Sequence, residues 1–281
     1  MSLPPLEAIT TVARIGLPGG SFDALSADRF AMRYPPHFHD TWAIGVIEAG
    51  LVRLRTARGA WVGSAGTILA FAPGEIHSAE ALSDAGYAYR MIYPESGFLA
   101  ASGIERGAGS ETAFRVPVFT DHELAGRLVK AHQPLMHGAW GPAAESRLIA
   151  TLAALWRRHQ GAGETTVPRD NDDLRAVARA RDYLTTRFVG QVRLAQIAAE
   201  CGLSSFQLIR VFQRVLGVSP YAYVVQLRVN KARELLHQGM GVSEVAYSCG
   251  FSDQSHLTRV FKKAIGVPPG AYQRGVRDRA A

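Results

Sequence analysis

Apolar and polar positions change rhythm along this chain. From about Arg29 to Tyr93 aromatic and β-branched residues come in short runs: Trp42–Glu48, Leu51–Thr56, Thr67–Phe71 and Tyr87–Tyr93. Ala49-Gly50, Arg58-Gly59 and Pro73-Gly74 punctuate them. Several short strands at this spacing predict a small β-barrel or sandwich. Gly97–Ser110 reads as a loop, and two helices follow over Asp121–His132 and Ala143–His159. The second carries Leu148, Ile149, Leu152, Leu155 and Trp156, an apolar stripe at helical spacing. Gly161–Asn171 (GAGETTVPRDN) breaks both rhythms and reads as a linker. Everything after about Asp172 is expected to be helical. The fold class expected is therefore a mainly β domain with two helices over residues 1–160, a linker over 161–172, and an all-α domain over 173–281.

The all-α part repeats itself. Leu194-Ala-Gln-Ile-Ala-Ala-Glu-Cys-Gly-Leu-Ser204 parallels Val242-Ser-Glu-Val-Ala-Tyr-Ser-Cys-Gly-Phe-Ser252. Leu194, Ile197, Ala198 and Cys201, like Val242, Val245, Ala246 and Cys249, fall at i, i+3, i+4 and i+7, one buried face of a two-turn helix. Gly202 and Gly250 suit the left-handed turn that ends it. Ser204 and Ser252 stand where the next helix needs an N-cap, and Ser204 with Gln207 makes a capping-box pattern. This is helix-turn-helix geometry, twice. Arg210-Val211-Phe212 recurs as Arg259-Val260-Phe261, offset by one further residue, so the second unit holds an insertion near its start.

In each second helix Leu208, Val211, Phe212 and Val215, or Leu257, Val260, Phe261 and Ala264, form the inward stripe. The outward faces carry Phe206, Gln207, Ile209, Arg210 and Arg214, then Gln254, Ser255, His256, Arg259, Lys262 and Lys263. Such faces offer Arg for guanine, Gln for adenine and Lys for phosphate, so they are expected to contact double-stranded DNA. A connecting helix over Ser219–His237 would span roughly 28 Å at ~1.5 Å per residue. Successive major-groove faces lie about 34 Å apart, so both second helices can address one side of a duplex.

Charge agrees with this division. Residues 1–165 hold 14 Lys/Arg against 15 Asp/Glu, and residues 166–281 hold 17 against 9. The excess of positive charge, +7 over the chain, thus sits with the repeat, as a polyanion-binding part requires. Cys201 and Cys249 occupy equivalent inward positions and read as small core residues; two cysteines make no disulfide framework. The opening MSLPPLEAIT lacks the charged-then-apolar pattern of an export signal, and no apolar run is long enough for a bilayer. A cytoplasmic setting without membrane attachment is expected.

The segment from about Val177 to Arg274 resembles the DNA-binding domain of the AraC/XylS family of transcription regulators. The resemblance rests on AxxCGxS twice, RVF twice, Leu227-Arg228 and Ala232 in the connecting helix, and the closing Gly-Val-Pro-Pro-x-x-Tyr-Gln-Arg. It implies base-reading positions at Phe206, Ile209, Arg210, Ser255, His256 and Arg259, and a structural or phosphate role for Arg228. Ile209 cannot hydrogen-bond a base and Ser255 is short, which departs from a simple reading code.

The N-terminal part resembles the family's cupin-type sensor and dimerisation domain. Pro36-His37-Phe38-His39-Asp40 and Gly66…Pro73-Gly74-Glu75-Ile76-His77 look like its two half-motifs. In metal cupins three histidines and a glutamate hold a divalent ion. His37, His39 and His77 match the histidines, the glutamate position falls at Ala43 or Ile44, and Glu75 or Glu80 are the nearby substitutes. The cluster reads in four ways: a divalent metal site, the polar lining of an effector pocket with Trp42 and Tyr93, a catalytic relic, or structural hydrogen bonding. The helical pair resembles the family's dimerisation element, with Leu148, Leu152 and Leu155 either an intersubunit seam or a cover for the barrel. The expected function is a sequence-specific transcription regulator and not an enzyme, an activator or a repressor, controlled by a small-molecule effector, dimeric, with RNA polymerase as its partner at the promoter. The rivals are an effector-independent regulator and a metal-dependent cupin enzyme fused to a DNA-binding domain.

Overall fold

The computed structural model describes residues 9–17, 20–31, 33–104, 114–161 and 171–277. Most of the expected linker, residues 162–170, lies outside them, and helix α4 already begins at Asn171. The β part consists of two antiparallel sheets. One has the order β1 (Ile9–Leu17), β2 (Gly20–Phe30), β9 (Tyr87–Pro94), β4 (Ala43–Ala49), β7 (Thr67–Phe71), β10 (Val118–Thr120). The other has the order β3 (Arg33–His37), β8 (His77–Ala81), β5 (Val52–Thr56), β6 (Gly59–Gly63). Both faces of the larger sheet are covered. Ile44, Val46, Ile68 and Ala70 pack with the helices, while Ala43, Ile47, Leu69 and Phe71 face the smaller sheet. That is why β4 and β7 read as unbroken apolar runs with little alternation.

The helical cover is α1 (Ser96–Ala101), α2 (His122–Met136) and α3 (Pro142–His159). Helix α1 occupies the start of the segment expected as loop. Phe98 and Leu99 are fully buried there, and the Phe98 ring lies 5.4 Å from that of Phe22. Burying two such side chains contributes roughly 3–6 kcal/mol, enough to order a short helix that sequence propensity does not announce. Asp121 caps α2 by accepting from Leu124 N, and Arg158 and His159 of α3 hold the same carboxylate, each at 2.9 Å. Leu148, Leu152 and Leu155 are buried within this one chain, at 0–1% exposure, so they cover the barrel rather than forming an intersubunit seam. His132 fastens α2 to the sheet: Nε2–H donates to Leu25 O (3.1 Å) and Met91 O (3.2 Å), and Nδ1 faces Arg90 at 3.4 Å.

The rest is helical: α4 (Asn171–Arg187), α5 (Leu194–Glu200), α6 (Ser205–Leu216), α7 (Pro220–His237), α8 (Val242–Ser248), α9 (Gln254–Ile265) and α10 (Pro269–Arg277). Helices α5/α6 and α8/α9 are the two helix-turn-helix units, with α7 between them. Gly202 (φ +68°) and Gly250 (φ +77°) adopt the left-handed conformation that the turns require. Leu208, Val211, Phe212 and Val215 are buried in α6, and Leu257, Phe261 and Ala264 in α9. Both cysteines are buried and unbonded to each other.

Candidate nucleic-acid interface and ligand pocket

Two devices make α6 and α9 stiff, outward-facing rods. Helix α6 starts with a complete capping box: Ser204 Oγ accepts from Gln207 N (3.3 Å), and Gln207 Oε1 accepts from Ser204 N (2.9 Å). At α9 the cap is Asp253 rather than Ser252. Its Oδ1 accepts from His256 N at 2.7 Å, so the residue inserted in the second unit is the one that caps the helix. Each cap is worth about 1 kcal/mol.

Phe206, Gln207 and Arg210 stand exposed on α6, and Gln254, Ser255, Arg259, Lys262 and Lys263 on α9. The Arg210 guanidinium lies 5.6 Å from the centre of the Phe206 ring, so the two present one amphipathic surface. Ile209 is half-buried. Two of the expected contact residues have other employment. Arg214 pairs with Asp173 of α4, and His256 is half-buried, with Nδ1 3.1 Å from Ser252 Oγ and its ring edge-on to Phe251. Gln207 keeps only its amide N–H groups free for a base, since its oxygen is in the cap.

The two rods are held in a fixed relation by Arg228 of α7. Its guanidinium donates to three backbone carbonyls: Phe188 O (2.8 Å) and Gly190 O (3.1 Å) after α4, and Gly250 O (2.6 Å) in the second unit's turn. A Cβ at Gly250 would stand 2.2 Å from Val189 O, so only glycine allows this approach. Arg228 is therefore a clamp between the units, the structural alternative of the two expected for it.

Between the sheets lies a cavity of about 60 Å³, lined by Leu54, Leu69, Phe71, Met91, Tyr34, Tyr87, Tyr89, Tyr93 and the three histidines. Its remaining wall comes from the helical domain: Arg233 of α7, Ala264 and Ile265 of α9, and Tyr272 of α10. Tyr93 thus lines it as expected. Trp42 does not: it points to the opposite face of the larger sheet, where its ring packs 4.9 Å from Trp156. The even–odd alternation of β9 puts Tyr87, Tyr89, Met91 and Tyr93 on one face, a pattern the sequence itself carries. Asp23, Arg233 and Tyr272 carried no such signal.

Those three form a buried latch between domains. Asp23, 3% exposed, pairs with Arg233 (3.0 Å) and Arg14 (2.9 Å), accepts from the Tyr272 hydroxyl, and lies 3.4 Å from His237 Nε2. Burial opposes its charge, but the bond to His237 and the charges of Arg233, His237 and Arg14 outweigh it and hold the carboxyl well below the usual range.

The histidine cluster is tightly drawn. Ligating nitrogens of His37, His39 and His77 lie within 4.8 Å of one another. Nδ1–H of His37 donates to Pro35 O (2.8 Å) and that of His77 to Glu75 O (2.9 Å), leaving Nε2 of each with its lone pair. His39 Nδ1 is buried without a hydrogen-bond partner. Burial holds all three imidazoles below their ordinary pKa, in the neutral form that ligates; the cost of placing a second positive charge beside His37, and at His39 also beside His77 and Arg233, lowers His39 and His77 further. The set fits three positions around a divalent ion. Neither expected carboxylate completes it: Glu75 is held by Arg58 (2.9 Å) and Glu80 by Arg53 (3.4 Å).

Comparison with known proteins agrees with this geometry. A profile described as an AraC-like ligand binding domain matches residues 19–154, and a helix-turn-helix domain profile matches residues 197–275. The uncharacterized HTH-type transcriptional regulator YbfI of Bacillus subtilis is 29% identical over 227 residues, 80% of this chain and 82% of that protein. The HTH-type transcriptional activator RhaS of Escherichia coli is 34% identical over 94 residues, 33% of this chain and 34% of that protein. Among solved structures, ToxT from Vibrio cholerae O395 superposes with a TM-score of 0.53 at 16% identity, covering 96% of this chain and 98% of that one. ToxT from strain SCE256 with a bound unsaturated fatty acid has a TM-score of 0.52 at 15% identity, covering 99% of each chain. Among the described residues no helix is long and apolar enough to cross a membrane. With a ligand-binding domain matched ahead of a double helix-turn-helix domain, this chain belongs to the AraC family of transcription regulators.

Proposed function

We propose that a small-molecule effector binds the cavity between the sheets and, by doing so, changes how the second helix-turn-helix unit sits on the barrel. The observation that carries this is the mixed wall: Arg233, Ala264, Ile265 and Tyr272 belong to the DNA-reading domain, yet they line the barrel's cavity. At about 60 Å³ the cavity accommodates only a few water molecules as it stands. A larger ligand must displace part of that wall, so it binds an arrangement with α7, α9 and α10 moved better than this one, which is the condition for a population shift. The apolar sides favour a compact hydrophobic body. Arg233 and the histidines favour one polar or acidic head, in keeping with the fatty acid bound by the ToxT relative.

DNA is read by α6 and α9, with Arg210 and Arg259 at guanine edges and Lys262 and Lys263 at phosphates. The regulator works as a dimer on paired sites and meets RNA polymerase there. Footprinting of the promoter with and without candidate organic acids tests the switch. Ligand-dependent protection is expected; a footprint indifferent to every ligand that binds the protein would leave a DNA reader with no switch. Sedimentation over a range of concentrations tests the dimer, and a monomer throughout rejects it. The histidine trio favours a second reading of the same pocket, in which His37, His39 and His77 hold a divalent ion that supplies a Lewis-acid position for the effector's head. Metal analysis of the purified protein and of His77→Ala checks it, and a metal-free parent protein ends it.

A further inference from the structure

A second cleft, of about 260 Å³, lies on the other side of His77, between the outer face of the smaller sheet and the C-terminal end of α6. We propose that it binds a small phosphate-bearing molecule, distinct from the barrel's effector. On β8, His77 and Ala79 line the barrel cavity, so Ser78 and Glu80 face outward. Arg33 stands opposite Glu80 across the β3–β8 ladder, and Arg55 stands opposite Ser78 across β5–β8, which turns both guanidiniums to that outer face. Arg214 reaches the same cleft from α6.

The charge there is not balanced. Glu80 pairs with Arg53 and Asp173 with Arg214, whereas Arg33 and Arg55 have no acidic partner among the described residues. The C-terminus of α6 brings roughly half a negative charge. Three guanidiniums against Asp173 and that half-charge leave the cleft at about +1.5, a match for a phosphate group. Two hydroxyls add donors. Ser78 is uncommitted, and Thr56 Oγ1 accepts from Arg58 N at 2.9 Å while keeping its own proton to give. Guanidinium forks and hydroxyls together are the usual equipment for a phosphate oxyanion.

The rival occupant with the same chemistry is a phosphate of the DNA backbone. Two features favour the small molecule. The floor of the cleft is buried His77, 6% exposed, recessed below the arginines, so the occupant has to enter a concavity. The walls also come from the barrel and from the first reading helix, which is where small-ligand sites concentrate. An anion there would tie α6 to the smaller sheet, as the Asp23 latch ties the second unit to the larger one.

Isothermal titration of the full-length, DNA-free protein with inorganic pyrophosphate at about physiological ionic strength, without divalent metal, tests the assignment. Saturable one-to-one binding is expected, weakened at least tenfold in Arg33→Ala/Arg55→Ala and little changed in Arg53→Ala/Glu80→Ala, which removes a neutral pair and leaves the net charge of the cleft as it is. Circular dichroism checks that the variants fold, and Arg33→Lys/Arg55→Lys supplies a milder second test with partial retention expected. Absence of pyrophosphate binding by the parent protein, or equal binding by the double alanine variant, overturns the proposal. If, in addition, the double variant lowers operator affinity and reduces its salt slope by about two, the arginines belong to the DNA contact instead.

Discussion

The two helix-turn-helix units are close copies in sequence and unequal in their surroundings. The second shares a continuous core with the barrel: Val229, Leu236, Phe261, Ile265 and Tyr272 pack in one cluster with Val12, Phe30, Tyr34 and Met91. The first has its own core with α4, built on Ala180, Leu184, Ile197, Leu208 and Phe212. The barrel enters it through Phe38, whose ring stacks 4.8 Å from Tyr223, and through Ile76. Two similar units thus differ in their tertiary context, and one of them is packed into the core of the ligand-binding domain. A change in the cavity reaches α7, α9 and α10 directly, because they supply part of its wall, whereas α6 lines none of it and meets the barrel through Phe38 and Ile76 and the second unit through the Arg228 clamp.

Breaking the latch gives the largest expected effect. Asp23→Ala leaves buried Arg233 with exposed Asp40, at 3.5 Å, as its one acidic partner among the described residues, and loss of one member of a buried pair costs about 3–5 kcal/mol. Hydrogen exchange should show α10 and the C-terminal half of α7 losing protection while α4–α6 keep theirs. Equal loss in both units would erase the asymmetry.

Acid sharpens the same contrast. His37, His39, His77 and His132 are buried in the barrel with lowered pKa values, His132 down to about 4 because burial and the nearby Arg90 charge disfavour its protonated form. A group depressed in the folded state supports stability above its unfolded pKa and withdraws that support as pH falls toward the folded value. From pH 6.5 down to about 4, His132 alone should therefore cost about 3 kcal/mol. The Asp23 carboxyl stays ionised through this window. Urea unfolding at pH 7 and at pH 4.5 should show the barrel weakened and the first unit, which has no histidine between residues 171 and 224, spared.

Arg228→Met removes three charge-assisted bonds and should weaken binding to an operator of natural spacing by about 1.5–3 kcal/mol. Its more telling readout is spacing. A set of operators with the two half-sites moved by one base pair should be discriminated sharply by the parent protein and poorly by the variant. Arg210→Ala and Arg259→Ala should each cost about 1–3 kcal/mol of site discrimination in competition binding assays. Arg214→Ala, already paired with Asp173, should cost less than either. A larger loss at Arg214 would mean that the ion pair opens on DNA.

Much of the reading apparatus was legible because its causes are local. An i, i+3, i+4, i+7 stripe, a glycine turn and a capping side chain lie within a dozen residues, so both units, their inward stripes and the connecting helix follow from spacing alone. Even the shifted cap of α9 was foreshadowed by the extra residue between the repeats. Strands β4, β5, β7 and β9 were legible for their branched and aromatic content. Strands β1 and β2 were not: ITTVARIGL and GSFDALSADRF are mixed in character, and they become strands by pairing with each other over nine positions and with β9. The histidines stood out as a motif. The aromatic wall of the cavity required knowing that β9 faces inward.

By itself, then, the sequence determined a family, two domains, two helix-turn-helix units and a cluster of imidazoles. Only the tertiary structure decided that Leu148, Leu152 and Leu155 cover the barrel, that Trp42 turns away from the cavity, and that Asp23 meets Arg233 across 210 positions of chain. The reason is physical: helix, turn and cap are set by neighbours along the backbone. A buried charge pair, or the choice of which face of a doubly covered strand looks into a cavity, is set by surfaces that meet only once the chain has folded.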